Sequence, residues 1–339
     1  MGTHLEPDAG PAAEARHALV RAIVHEGGLG DPAWRAAFEE VPRHVFVPYY
    51  FVGRGGTYER MWCLDPDRAR RERWLRGAYY DMPLATRVRD GELISSSSQP
   101  SLMARMLDEL QVEDGNTVLE IGAGTGYNAA LLSHRLGEDR VTTIDMEPEI
   151  TESACRHLAA AGYHPTVVTG DGARGCPERA PFDRIIATCT LPSVPFDWLP
   201  QCRPGARILA PLSTGLIALR VSDDGTTRSA EGHFLRTSAY FVPLRGSEAA
   251  AEGHVGGLPR RVIDNDLFRF LLTLTAGSLD PQEALSLWER ERRPQRERFG
   301  VTVSGDRQWA WLDDPEGPYA WPLGPARQTA PRPPSRGGW

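Results

Sequence analysis

An α/β fold of the Rossmann-like kind is predicted by three observations. Short β-branched runs alternate with amphipathic stretches between Leu102 and about Val242. The first run leads straight into a glycine turn and then a helix. An acidic residue closes the next run, about 20 residues on, as in nucleoside-binding α/β sheets. The expected architecture is a mostly parallel seven-stranded sheet with helices on both faces. An N-terminal helical and hairpin element precedes it, and a mainly helical C-terminal extension follows.

The strands are expected at 117–121 (TVLEI), 141–145 (VTTID), 165–169 (PTVVT), 183–188 (DRIIAT), 206–211 (ARILAP), 216–222 and 235–243. Helices are expected at 101–111, 127–136, 147–161 and 193–199. The first four strands alternate with helical segments and so imply βαβ units. The last two lack an intervening helix, which implies an antiparallel edge. Upstream, Ala15, Leu19, Val20, Ile23 and Val24 recur at helical spacing within 11–26, and Asp31 with Pro32 starts a second helix running to about Glu40. The arginine-rich stretch 54–78 reads as an irregular surface excursion. Beyond Gly246 come a linker (SEAAAEGHVGG), a helical stretch around 264–299, a tryptophan-rich ending (WAWLDDPEGPYAW) and a disordered tail. The arginines from Arg290 to Arg298 alternate with glutamates and read as a solvated helix face. The divisions expected are 1–100 (helical and substrate-lid region), 101–245 (cofactor-binding domain), 246–327 (extension) and 328–339 (tail).

Composition narrows the chemistry. The chain has 339 residues and 38 Lys+Arg, every one of them arginine. Schiff-base lysine, lysine-nucleophile and P-loop lysine chemistry are therefore excluded. A net charge of −7 argues against a sequence-independent nucleic-acid binder. No apolar run reaches the ~18 residues of a membrane span, and the first residues lack a basic-then-apolar signal pattern. The five cysteines (Cys63, Cys155, Cys176, Cys189, Cys202) are scattered without a CxxC, so they read as cytoplasmic thiols and not as a metal site.

The glycine turn is Gly122-Ala123-Gly124-Thr125-Gly126, preceded by Glu120. Glycines there let a ligand approach the backbone closely. The spacing is GxGxG, which weakens a dinucleotide reading. Asp145, at the tip of the next strand, can accept hydrogen bonds from both ribose hydroxyls, with Met146 beside it. After the third strand, Gly170-Asp171-Gly172 can present Asp171 to the exocyclic amine of adenine, although Asp-Gly is also a common turn pair. Thr188, at the end of the 183–188 strand, completes the expected wall. Three such elements in order point to an adenosine-type cofactor.

The combination EIGAGTG…DMEP…GDG resembles the class I S-adenosylmethionine-dependent methyltransferases. The resemblance implies S-adenosyl-L-methionine as cofactor and S-adenosyl-L-homocysteine as product. Upstream, VPRHVFVP (41–48), AYYDMPL (78–84) and ISSSSQPSLMARML (94–107) look like the protein-L-isoaspartate O-methyltransferase family. Its motifs there are VPRHxFVP, Tyr-x-Asp-x-Pro-Leu and Thr-Ile-Ser-Gln-Pro. The resemblance runs over about 36–220, with further matches at AGYHPTVVTGDG, APFDRIIAT and RPGARILAPL. It implies that Ser98, Gln99 and Pro100 close over the cofactor and meet a substrate carboxylate, and that Asp81 is the family's aspartate. This chain departs from the family in a serine run, Ser95-Ser96-Ser97-Ser98, in a longer 49–78 segment and in about 95 residues after the core.

A subset of the family is more similar still: methyltransferases from biosynthetic clusters for ribosomally made peptides such as graspetides, lanthipeptides and lasso peptides. They carry a serine-rich motif and a C-terminal extension. They methylate a specific L-aspartate of a precursor peptide, and the ester collapses to an aspartimide. The resemblance thus implies a peptide partner with that modification; isoaspartate repair is the alternative. Ser98 and Ser97 are the expected catalytic residues. Ser95, Ser96, Gln99, Asp81, Arg87 and Arg89 are the expected substrate contacts, although Ser also caps helices. A carboxylate is already ionised at neutral pH, with an aspartate pKa near about 3.9, so no general base is required. Base methylation is disfavoured, because ATCTLP stands where an Asn-Pro-Pro-Tyr-type motif belongs. His44 reads as structural, and Trp309, Trp311 and Trp321 as packing of the extension.

Overall fold

The computed structural model describes residues 10–54, 57–89, 91–245 and 258–324. The linker expected after Gly246 and the tail 328–339 lie outside the described residues. The described residues begin with two helices, α1 (Gly10–His25) and α2 (Pro32–Glu40). The Asp31 carboxylate accepts from the Ala33 N–H at 2.8 Å, so α2 starts where its cap and Pro32 dictate. A short α3 (Arg43–Phe46) leads to β1 (Tyr49–Arg54), β2 (Thr57–Trp62), α4 (Arg68–Ala78), β3 (Leu84–Arg89), β4 (Glu92–Ser97) and α5 (Pro100–Leu110). These strands form a separate antiparallel sheet in the order β2-β1-β3-β4.

The described residues of the stretch 54–78 therefore form a strand and a helix and not an irregular excursion. Asp67 caps α4, and Trp74 is buried with its indole N–H donating to the Val47 carbonyl at 2.9 Å. One tryptophan and the Gly77-Ala78 pair are enough to dock a helix whose other positions are mostly arginine.

The main domain runs β5 (Val118–Ile121), α6 (Tyr127–Leu136), β6 (Val141–Asp145), α7 (Pro148–Ala160), β7 (Thr166–Thr169), β8 (Phe182–Ala187), β9 (Cys202–Leu212), β10 (Gly215–Asp223) and β11 (Arg228–Ser238). The extension adds α8 (Arg260–Ile263), α9 (Asp266–Leu274), α10 (Pro281–Arg290), β12 (Phe299–Ser304), β13 (Arg307–Leu312) and β14 (Ala320–Pro322). All of β5 to β14 share one sheet of ten strands, ordered β14-β13-β12-β11-β10-β9-β8-β5-β6-β7. The β9-β8-β5-β6-β7 half is parallel, and every pair from β9 outward to β14 is antiparallel.

The expected seven-stranded, mostly parallel sheet is thus corrected to ten strands, and the helices expected of the extension are present but joined by strands. The extension contributes three strands, because Val301-Thr302-Val303 and Trp309–Leu312 suit a half-buried pleated surface. The strand expected at 235–243 lies at 228–238, where polar Glu231 and Gly232 obscured the alternation. The helix expected at 193–199 is a 3₁₀ segment, Phe196–Gln201, flanked by Pro195 and interrupted by Pro200. The arginine-rich run after α10 is not simply a solvated face. Arg296 is buried and pairs with Asp266 at 2.7 Å, and Arg298 pairs with Asp313 at 2.6 Å.

Two apolar clusters sandwich the sheet. One, around Trp34, Phe38, Phe46, Leu107 and Leu131, lies under α1, α2, α5 and α6. The other, around Trp198, Ile208, Phe234, Phe268 and Phe270, lies under α9, α10 and the 3₁₀ segment. Trp311 and Trp321 are buried, as packing of the extension requires. After β5 the chain builds β6 and β7 on one side, then β8 and β9 on the other. The carboxyl ends of β5 and β8 therefore flank a topological switch point, where such sheets bind ligands.

Candidate active site

At that switch point is a cavity open to solvent on one side. Its walls come from three parts of the chain: the glycine turn after β5, the serine run of β4, and the segment Val242–Arg245 after β11. Of the expected cofactor residues, Glu120, Gly122, Ala123, Gly124, Thr125, Asp145, Met146, Gly172 and Thr188 line it. Asp171 does not; its carboxylate caps the following 3₁₀ turn by accepting from the Ala173 N–H at 2.9 Å. Gly126 is the N-cap of α6 and packs against Ala154 and Leu158.

The turn is built for close approach. Gly122 has φ +99°, and a Cβ there would lie 2.7 Å from the Thr188 hydroxyl. The Thr188 hydroxyl donates to the Gly122 carbonyl at 2.7 Å, tying the end of β8 to the turn. The Gly124 N–H donates to Asp145 Oδ2 at 3.3 Å, which orients that carboxylate at the tip of β6.

Glu120 lies at the cavity floor and is fully buried. Asn128 donates to its Oε1 at 2.8 Å. Its Oε2 and the Asn128 Oδ1 have no hydrogen-bond partner. Burial pushes the Glu120 carboxyl up to about 7, with the Thr143 hydroxyl and the Asn128 amide opposing that rise. A buried acceptor with no partner, at the bottom of a cavity, is a place for a ligand's donor or cation.

The serine run forms the opposite wall. All four of Ser95, Ser96, Ser97 and Ser98 line the cavity, and the Ser96 carbonyl faces Gly124. Ser95 and Ser97 are buried, as the two-residue period of β4 requires. No serine of the run caps α5, whose N-cap is Gln99. Asp81 supplies the capping carboxylate from outside: it accepts from the Ser101 N–H at 2.8 Å and from Gln99 Nε2 at 3.1 Å. Gln99 and Asp81 thus hold each other and the start of α5. Arg87 and Arg89 reach carboxylates of their own chain, Glu149 and, at 4.0 Å, Glu147.

Two residues the sequence reading passed over hold this wall in place. Arg43 is fully buried. Its guanidinium donates to the carbonyls of Ala78 (2.7 Å), Tyr80 (3.1 Å), Met82 (3.2 Å) and Ser98 (3.1 Å), and to the Ser97 hydroxyl at 3.5 Å. Burial lowers it to about 10, so it stays charged at neutral pH. Arg43 belongs to the same VPRH motif as His44, and that histidine is buried and bonded to the Tyr79 hydroxyl at 2.7 Å. The second is Arg245, whose role at the cavity nothing in the local sequence marks.

Among the described residues no helix is long and apolar enough to cross a membrane, and no cluster of three or more potential metal ligands occurs. Residues 64–249 match the family described as protein-L-isoaspartate(D-aspartate) O-methyltransferase (PCMT). A protein-L-isoaspartate O-methyltransferase of Hyperthermus butylicus is 34% identical over 247 residues, covering 69% of this chain and 89% of the relative. A solved protein-L-isoaspartate O-methyltransferase superposes with a TM-score of 0.59 at 23% identity, over 91% of this chain and 98% of that one. A Plasmodium falciparum structure titled as a protein-L-isoaspartate O-methyltransferase in complex with S-adenosyl-L-homocysteine superposes at 0.50, with 12% identity, over 68% and 99% of the two chains. With its glycine turn and serine run on facing walls of one cavity, the chain belongs to the protein-L-isoaspartate O-methyltransferase family, S-adenosylmethionine-dependent carboxyl methyltransferases.

Proposed function

We propose that this enzyme methylates the carboxylate of an isoaspartyl residue in a peptide or protein, the activity for which its relatives are named. The observation that carries the reading is the pairing of two walls in one cavity: a cofactor wall of Gly122–Thr125 and Asp145, and a hydroxyl wall of Ser95–Ser98. The cofactor wall fits an adenosyl group. Asp145 can accept from the ribose hydroxyls, Gly122 leaves room for close approach, and Glu120 Oε2 is an unfilled acceptor for an ammonium. When bound, S-adenosylmethionine supplies an activated methyl group that a carboxylate oxygen can take by in-line displacement.

The chain's own part is orientation, worth about 7–11 kcal/mol in favourable cases. The carboxylate arrives ionised, so no residue has to remove a proton. Ser98 and Ser96 can donate to the substrate carboxylate. Ser97 acts through Arg43, which its hydroxyl meets, and Ser95 through its neighbour Thr86 at 3.4 Å. Asp81 and Gln99 keep the start of α5 in register with the serines.

A second reading is favoured by one observation, the serine run. In the family motif Thr-Ile-Ser-Gln-Pro the apolar position falls on Ser97, and here it holds a buried hydroxyl against Arg43. A more polar wall suits the side-chain carboxylate of an L-aspartate in a ribosomally made precursor peptide. Its ester would then be attacked by the next backbone nitrogen, forming an N–C bond, expelling methanol and leaving an aspartimide. A matched pair of peptides differing only in isoaspartate or L-aspartate separates the readings. The first predicts turnover of the isoaspartyl peptide alone. Turnover confined to the L-aspartyl peptide would replace it with the second. Gly122→Ala tests the cofactor wall: backbone strain of about 1–2 kcal/mol and the clash with Thr188 should weaken S-adenosylhomocysteine binding at least tenfold by calorimetry.

A further inference from the structure

Three arginines, two from β3 and one from the segment after β11, converge on two glutamates at the start of α7. Arg87 pairs with Glu149, and Arg89 lies 4.0 Å from Glu147. Arg245 lies 3.3 Å from Glu147 Oε1 and donates through Nη2 to the Ile94 carbonyl at 2.7 Å. Ile94, Arg245, Asp145 and Met146 all border the cofactor cavity, and Glu147 directly follows them. The chain Ile94–Arg245–Glu147 therefore crosses from the serine strand to the ribose-facing end of β6.

The root of this bridge is fixed and its far ends are not. The Thr190 N–H donates to the Val242 carbonyl at 2.9 Å, and the Leu244 N–H to the Thr190 carbonyl at 2.9 Å, so the segment carrying Arg245 is stitched to the end of β8. The β3–β4 hairpin, by contrast, pairs on one side only, since β4 is an edge strand of its sheet. Its contacts to α7 are half-exposed ion pairs, which contribute little each. Arg245 Nη1 is buried and makes no hydrogen bond, so its hold on Glu147 is through charge alone. Weak multiple pairs on a one-sided hairpin make a closure that holds in aggregate and yields readily.

We propose that Arg245 and Glu147, with Arg89 and Arg87 beside them, form a strap over the cofactor, and that its opening limits both uptake of S-adenosylmethionine and loss of S-adenosylhomocysteine. The inference rests on the cavity as the cofactor site but not on the identity of the peptide. Its test uses no peptide, so its failure and that of the methyl-acceptor reading are distinguishable.

The experiment is stopped-flow measurement of S-adenosylhomocysteine association and dissociation with the full chain. A strap predicts that Arg245→Ala and Glu147→Gln raise both rate constants together, by about tenfold for the arginine, and change the equilibrium constant less. Arg245→Lys, which keeps the charge but cannot serve both partners, should fall between. Added salt should speed exchange in the native chain and much less in Glu147→Gln. Melting temperatures of the variants confirm that they are folded. Dissociation that rises with association unchanged would make Arg245 an ordinary ligand contact, and unchanged rates in Glu147→Gln would remove the strap; either overturns the proposal.

Discussion

Replacing Arg43 with methionine is expected to lower stability by about 3–5 kcal/mol, because several buried acceptors lose their donor at once. The guanidinium serves four carbonyls and one hydroxyl from two segments, 78–82 and 97–98. No apolar side chain can replace that pattern, and an ammonium can serve only part of it. Arg43→Lys should therefore fold, yet let the Ser98 backbone drift from the cofactor wall. A misplacement on the order of 1 Å can cost about 100-fold in turnover. Loss of kcat with S-adenosylhomocysteine affinity nearly unchanged is the expected outcome for the lysine variant. Native turnover in Arg43→Lys would show that the clamp is structural only. Urea unfolding, steady-state kinetics and calorimetry measure the three quantities.

The second large effect belongs to Glu120. Its carboxyl is raised from about 4.5 to about 7 by burial. Between those values the native chain holds a proton that the unfolded chain has released. Stability therefore falls as pH rises through that window, and the whole cost, about 3 kcal/mol, is present above pH 7. Glu120→Gln removes the ionisation. The ligand-free variant should be more stable than the native chain at pH 8 by up to about that amount, with the advantage vanishing near pH 4. It should also bind S-adenosylhomocysteine about 10–100-fold more weakly, since a charged acceptor for the ligand's ammonium is gone. In the native chain, ligand binding near pH 6.5 should release a proton, seen as a binding enthalpy that depends on the buffer. A variant that lost affinity without gaining stability at pH 8 would contradict the burial account.

The parts of the molecule governed by local rules were legible from the sequence. Asp31-Pro32 starts a helix by capping, and GAGTG follows a β-branched run because a tight turn with positive φ needs glycine. The parallel half of the sheet followed from the alternation of runs. Long-range packing decided the rest. Trp74 turned an arginine-rich stretch into a docked helix, and β12 to β14 joined the sheet because β11 offered an unpaired edge. The same limit applies at the site. The serine run was visible as residues, but its partners Arg43 and Arg245 come from about 50 residues before it and 150 after it. Asp171 shows the converse: its Asp-Gly pair served both as a ligand motif and as a turn, and the turn is what its carboxylate completes.

The central claim is that two walls of one cavity bring a methyl donor to a carboxylate. Transfer of label from methyl-labelled S-adenosylmethionine to an isoaspartyl or L-aspartyl peptide tests it most directly. A methyl ester is base-labile, so the account predicts that mild alkali releases the transferred label as volatile methanol. Label that survives alkali would mark methylation at nitrogen or carbon and would contradict the account, as would failure to label either peptide.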